Sequence, residues 1–173
     1  QSDSMLCGIT CLKMVCEYYG KRYSTVCLTQ LCFATTEGVS LLSITKASEK
    51  LGLKVVGARC EVDKLDNRNL PCILHWNQNH FVVLYKVKKG KTFYIADPGK
   101  GLIKYNLDEF KKHWVSTQSD GEEKGIAMFL EPTPAFYEKK MDEEPKEERS
   151  FKFLFGYIKQ YRKYFGQIIL GLL

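Results

Sequence analysis

The sequence predicts an α+β fold, with N-terminal helices packed against an antiparallel sheet. Three observations predict it. Helical periodicity dominates the first fifty or so residues; beyond Gly52 the folded domain turns mainly to short runs rich in β-branched and aromatic residues. Those runs are separated by Gly, Pro, Asn or Asp, the residues that turn a chain between strands.

Taken in order, Leu12, Val15, Cys16 and Tyr19 recur at i, i+3, i+4 and i+7, which predicts a helix from about Cys7 to Tyr19 closed by Gly20. Ser24 is placed to cap a second helix running through Cys32. A third spans about Ser40 to Leu51, with Ile44, Ala47, Ser48 and Leu51 on one side and Gly52 as its stop. Strands are expected at Lys54–Cys60, Cys72–Trp76, Phe81–Val87, Thr92–Ala96, Leu102–Tyr105 and Ile126–Leu130, interrupted by a short helix near Leu107–Trp114. Residues 138–150 (EKKMDEEPKEERS) carry almost no apolar side chain and read as a solvated linker, which bounds the folded domain at 1–137. In the last 23 residues, Phe151, Leu154, Phe155, Ile158, Tyr161 and Phe165 share a helical stripe opposite Lys152, Lys159 and Lys163. Arg162 falls on the apolar side, where its head must snorkel. Such a stripe suits a helix lying in a membrane interface, and the apolar run after Phe165 reads as the start of a transmembrane helix. The competing reading is a terminal helix docked on the domain.

Composition narrows the function classes. At 173 residues, 45% hydrophobic and 27% charged, the chain supports one soluble core plus an extra segment. Basic residues outnumber acidic ones 26 to 20. Residues 151–164 hold four basic side chains and no acidic one, so the excess sits at the C-terminal end and not as a stripe on the domain. No nucleic-acid partner is expected from that distribution; a membrane surface is. The seven cysteines (Cys7, Cys11, Cys16, Cys27, Cys32, Cys60 and Cys72) show neither a CxxC pair nor zinc-type Cys/His spacing, so no metal is expected. Most lie among apolar residues, as reduced thiols do in a reducing compartment, and the reading is cytoplasmic.

Cys7 is the cysteine best placed for chemistry. It falls at the predicted start of the first helix, next to Gly8, where free N–H groups and the helix dipole favour a thiolate and face an oxyanion. Cys11 and Cys16 lie within the helix, and the remaining four sit in or at the end of other elements. A nucleophilic thiol needs a base, and three histidines compete. If Lys88 pairs with Lys91 in a hairpin turning at Lys89-Gly90, cross-strand partners sum to 179 and Val82 faces Asp97. His80 then shares a sheet face with Asp97 as a diagonal neighbour, about 7–8 Å away. A four-residue loop keeps that parity, and a three-residue loop flips it. His75, inside CILHW, reads as a core histidine. His113, near a helix end, reads as solvated or as satisfying the helix dipole. A His80–Asp97 pair would match base and orienter, while Asp-Pro-Gly at 97–99 is equally a good turn sequence.

These residues resemble a known family. Gln1, Cys7-Gly8, the HWNQNHFVVL stretch at 75–84, and Ala96-Asp97-Pro98 with Gly101 are similar to the peptidase domains fused to bacterial peptide-exporting ABC transporters, which remove double-glycine leaders from bacteriocins and related peptides. The resemblance covers about residues 1–130. It implies a papain-like fold and a cysteine endopeptidase with Cys7 as nucleophile, His80 as base and Asp97 as orienter. It also implies Gln1 as the oxyanion-hole side chain, whose amide NH₂ donates beside the Cys7 backbone N–H. Leu6 departs from the family, where an acidic residue is common, and so does Cys11, where a small residue is common. Neither removes a catalytic group.

The resemblance further implies cleavage after Gly-Gly or a similar small pair in a narrow cleft, with the leader docked as an amphipathic helix. Trp76 is a candidate wall of that cleft, its competing role being a core tryptophan. The implied partners are a leader-bearing precursor peptide and the transmembrane and nucleotide-binding parts of the same transporter, at the cytoplasmic face of the bacterial membrane, the full-length protein being a homodimer. No cofactor is expected for the peptidase. ATP and Mg are expected only in a transporter part, since no Walker A pattern occurs here. Two rival classes are a non-catalytic substrate-binding domain of a related exporter and a papain-like acyl transferase.

Overall fold

The structure, a computed structural model, describes residues 2–32, 40–119 and 121–139. The chain divides into a unit of residues 1–140 and a second of 141–173. The expected linker from Lys140 onward, the amphipathic helix and the membrane span therefore lie outside the described residues, as does Gln1. Among the described residues no helix is long and apolar enough to cross a membrane.

Three helices lead: α1 (Ser2–Tyr18), α2 (Thr25–Cys32) and α3 (Leu41–Leu51). Each ends or begins on a cap that its sequence provides. At the end of α1, the Gly20 N–H reaches the Glu17 carbonyl at 3.0 Å and the Lys21 N–H reaches Cys16 at 2.9 Å, with Gly20 at φ +86°. This paired return satisfies carbonyls the helix leaves open. Ser24 Oγ accepts from the Cys27 N–H at 3.1 Å, and Ser40 Oγ accepts from Ser43 N–H at 3.1 Å; such a cap stabilises a helix by about 1 kcal/mol. Gly52 ends α3 at φ +92°. A side chain there would also meet the Phe136 backbone nitrogen at 2.6 Å, so glycine is required twice over.

The strands β1 (Leu53–Cys60), β2 (Cys72–Trp76), β3 (His80–Lys88), β4 (Thr92–Asp97), β5 (Gly101–Asn106), β6 (Val115–Ser119) and β7 (Glu122–Pro132) form one sheet in the order β1-β7-β2-β3-β4-β5, with β6 also on β7. Every pairing is antiparallel. Helix α4 (Leu107–Trp114) lies between β5 and β6, opened by a reciprocal cap between Asn106 and Glu109. A short α5 (Pro134–Glu138) follows β7. Neither β6 nor α5 was legible in the sequence pattern: β6 is the polar run VSTQS, and α5 is a single turn and a half.

Both sheet faces are covered. Ile9, Leu12, Val15, Ile44 and Ile73 belong to a core between the helices and the sheet, while Leu74, Val82, Phe93, Ile95, Phe110 and Trp114 form a second core under α4. This double covering explains why β2 reads as a continuous apolar run and not as an alternation. Gly125 permits the second core to close, since a Cβ there would fall 2.4 Å from the Trp114 ring.

The β3–β4 hairpin departs from the expected geometry in two places. Lys88 pairs with Thr92, so the loop has three residues and partners near the turn sum to 180. A bulge between Leu84 and Lys86 absorbs one residue, and beyond it Leu84 pairs with Ile95 and Val83 with Ala96, which sum to 179. The extra loop residue and the bulge cancel. The parity that places His80 with Asp97 is therefore the expected one, reached by a route the turn alone did not contain.

Candidate active site

Helix α1 carries Cys7 against the sheet through Gly8. A Cβ on Gly8 would lie 2.7 Å from Ile44 Cδ1 and 3.2 Å from Phe81 Cδ2. The missing side chain lets α1 settle onto the residue next to His80. His80 opens β3 and Asp97 closes β4, so both stand at one end of the sheet.

The His80 Nε2 is 2.9 Å from Asp97 Oδ1, and Asp97 is buried at 3% exposure. The Cys7 thiol forms a hydrogen bond with the same imidazole. Since Nε2 is turned to the carboxylate, Nδ1 is the nitrogen left for the sulfur. That hydrogen bond to Cys7 is the largest influence raising the His80 pKa, with the bond to and charge of Asp97 adding to it; partial burial opposes them. Asp97 serves the turn as well: its Oδ1 accepts from Gly99 N–H at 2.8 Å, and its carbonyl accepts from Lys100 N–H at 3.2 Å. The turn role and the His80 contact, alternatives in the sequence, are filled by one side chain.

The start of α1 requires a correction. The helix begins at Ser2 and not near Cys7, so Cys7 lies in its second turn. The dipole fades beyond the first turn, and in an α-helix the Cys7 N–H is directed at the carbonyl four residues back, that of Asp3. The environment of the sulfur is thus set by His80 more than by the helix end. Burial pushes Cys16 up to about 12 and Cys32 to about 11, and raises Cys60 and Cys72. Cys11, one turn beyond Cys7, is raised by burial first and then by the nearby Cys7 and Asp97 charges.

Trp76 is placed elsewhere than at a cleft wall. It is 2% exposed in the second core, stacked on His113 at 5.3 Å and against Tyr105 and Phe110, whereas Cys7 belongs to the core on the helical side. Its position is that of a core side chain. A groove of about 1120 Å³ lined by Glu61, Asp66, Asn67, Lys111 and Glu123 among others includes none of Cys7, His80 and Asp97. Among the described residues, no three histidine, cysteine or carboxylate side chains converge as a metal site requires.

A helix-borne thiol beside an imidazole, itself held by a carboxylate at the end of an antiparallel sheet, is the arrangement of a papain-like cysteine peptidase. Comparison with known proteins agrees. The model of the Peptidase C39 family matches residues 1–118, and the chain belongs to that family as a cysteine peptidase domain. Over 136 residues, 79% of this chain, it is 32% identical to the probable microcin-H47 secretion/processing ATP-binding protein MchF of Escherichia coli. Over 138 residues, 76% of the chain, it is 32% identical to the lactococcin-G-processing and transport ATP-binding protein LagD of Lactococcus lactis. The chain covers 18% of the length of each. Among solved structures, a double glycine motif protease from an AMS/PCAT transporter, crystallised with its leader peptide, shares 37% identity at a TM-score of 0.64, covering 77% of this chain and 89% of that one.

Proposed function

We propose that this domain removes the leader from a secreted, bacteriocin-like precursor peptide by cutting after a Gly-Gly-type pair, and that the cut is coupled to export by an ABC transporter. The observation that carries the chemistry is the contact of one imidazole with both Cys7 and the buried Asp97. The substrate class is supported by the likeness to a double glycine motif protease and to proteins named for processing and transport.

In this reading His80 Nδ1 takes the Cys7 proton as the sulfur attacks the carbonyl carbon of the second residue of the small pair. Asp97, bonded to Nε2, holds the ring and stabilises the imidazolium. Gln1, six residues before Cys7, is the proposed donor to the tetrahedral oxyanion. Collapse breaks the C–N bond, the leaving amine takes the proton from His80, and the leader remains as a thioester on Cys7. Water then attacks that thioester, giving one proton to His80, and the regenerated thiol leaves the leader with a free carboxylate. Every group this sequence asks for is a side chain, so no cofactor or metal is assigned to the peptidase step. ATP and Mg would serve the transport part. A demand for two small residues implies a cleft too narrow for larger side chains. We assign the partners on the same grounds: a precursor peptide, and the membrane and nucleotide-binding parts of a homodimeric transporter. The amphipathic, basic pattern of residues 151–165 supports a site of action at the cytoplasmic face of the membrane.

The test mixes the domain with synthetic leader peptides carrying Gly-Gly, Gly-Ala or bulkier pairs and analyses the products by mass. Cleavage of the first two only, with a free carboxylate on the leader, and none in Cys7→Ala, is the expected result. Equal cleavage at bulky pairs removes the narrow cleft, an amide-linked adduct indicates an acyl transferase, and full activity in Cys7→Ala rejects the nucleophile.

A further inference from the structure

The turn that delivers His80 is unusual. Between β2 and β3, Asn77 and Gln78 both hold left-handed backbone, at φ +48° and +63°, without a glycine between them. Such backbone is disfavoured for residues with a Cβ and persists where surrounding contacts fix it. Trp76 pairs with His80 across this turn, so any slack in residues 77–79 passes directly to the imidazole.

The contacts that fix it come largely from two histidines that take no part in the proposed reaction. At the C-terminal end of α4, the His113 carbonyl, one that the helix leaves open, accepts the Asn77 N–H at 2.9 Å. The His113 ring returns a second bond, Nδ1 to Asn77 Oδ1 at 2.8 Å; because the partner is a carbonyl oxygen, Nδ1 is the donor. The ring lies flat on Trp76, at 5.3 Å and an interplanar angle of 19°, with Tyr105 on its other contact at 5.4 Å. From the opposite side of the turn, the His75 ring hydrogen-bonds the Gln78 backbone. The first two residues of the turn are thus each held by a histidine, one on the preceding strand and one on α4.

We propose that His113, acting through its paired hydrogen bonds to Asn77, is a positioning residue that sets the His80 imidazole between Cys7 and Asp97. The proposal rests on the functional reading above, in which His80 moves the proton. His113 need not touch substrate. Its effect is on the alignment of His80 at the moment of proton transfer, where a displacement of about 1 Å is worth up to about 100-fold in rate. Ring stacking alone would not need a donor at Nδ1, and that difference makes the role testable.

The experiment measures kcat and KM on a Gly-Gly leader peptide for the wild type, His113→Ala, His113→Asn, Asn77→Gly and Cys7→Ala, with thermal unfolding of each. Asparagine places a hydrogen-bonding amide where Nδ1 stood but cannot stack as the ring does. Asn77→Gly tolerates the left-handed backbone but loses both the side-chain acceptor and the restraint of a Cβ, so the His113→Asn rescue is the arm specific to the hydrogen bond. The expected result is a kcat about 10-fold lower in His113→Ala and in Asn77→Gly with KM close to wild type, and recovery of most of the loss in His113→Asn. Should His113→Ala fail to fold, Asn77→Gly carries the same expectation. Unchanged kcat in Asn77→Gly, or a His113→Asn variant as slow as His113→Ala, overturns the proposal while an inactive Cys7→Ala leaves the functional reading standing. Full activity in Cys7→Ala overturns the functional reading, and the proposal with it.

Discussion

At the scale of single residues, the site works by making one imidazole answer to two partners. Its contacts with Cys7 and Asp97 favour the charged ring and outweigh the cost of partial burial, so the His80 pKa is raised. The sign for stability follows: protonated His80 stabilises the folded state fully below its unfolded value of about 6.5, and that contribution is lost as pH rises through the higher folded value. In the proposed reaction, His80 keeps its proton to higher pH than a free imidazole would. Asp97→Ala removes one of the two contacts. Its expected effect is a kcat/KM about 100-fold lower, with the alkaline limb of the pH profile moved to lower pH. Asp97→Asn, which keeps an oxygen for His80 and for Gly99, is expected to retain more activity than alanine. An alkaline limb at the same pH in Asp97→Ala would contradict the electrostatic account. A register argument joined His80 to Asp97 in the sequence, but Cys7 was singled out for a helix start that lies five residues earlier, and it was the family resemblance that brought the three together. His75 and His113 were legible only as histidines. Their role depends on a turn conformation and on a helix end reaching across from another part of the chain, neither of which a one-dimensional pattern contains.

At the scale of elements, the approach of α1 to β3 decides whether sulfur and imidazole meet. Gly8 allows it, with Ile44 and Phe81 filling the space a side chain would take. Gly8→Val should push α1 outward, costing about 1–3 kcal/mol in stability by overpacking and lowering kcat/KM by more than the unfolded fraction explains. Urea unfolding and leader cleavage measured on the same preparation separate the two effects; wild-type cleavage in Gly8→Val would remove this role for the glycine. The helices and strands themselves were largely readable. The capped stops at Gly20 and Gly52 and the apolar spacing of α3 lie where local chemistry puts them. The start of α1 was not, because Ser2–Leu6 carries little apolar periodicity and the stripe of Leu12, Val15, Cys16 and Tyr19 lies beyond it. The hairpin shows a second limit. A bulge at Tyr85 and a three-residue loop each invert the side-chain parity, and only their combination restores it. Nothing in the run LYKVKKGKT marks the bulge, since Tyr85 suits a regular strand as well as a bulged one.

At the scale of the whole molecule, two cores on opposite faces of one sheet hold the sheet's end rigid, and the chemistry is placed at that end. Residues in the cores, Trp76 and Cys72 among them, were attractive as functional candidates by type yet serve packing, and only the three-dimensional arrangement separates the two uses. The proposed reaction depends on a single sulfur out of seven being the one that meets the substrate carbonyl. A leader peptide ending in a Gly-Gly chloromethyl ketone tests this directly, by intact mass and peptide mapping after reaction near neutral pH. One adduct, on Cys7, formed more slowly in His80→Ala, is the predicted result; an adduct on Cys27 or Cys60 with Cys7 left unmodified would contradict it.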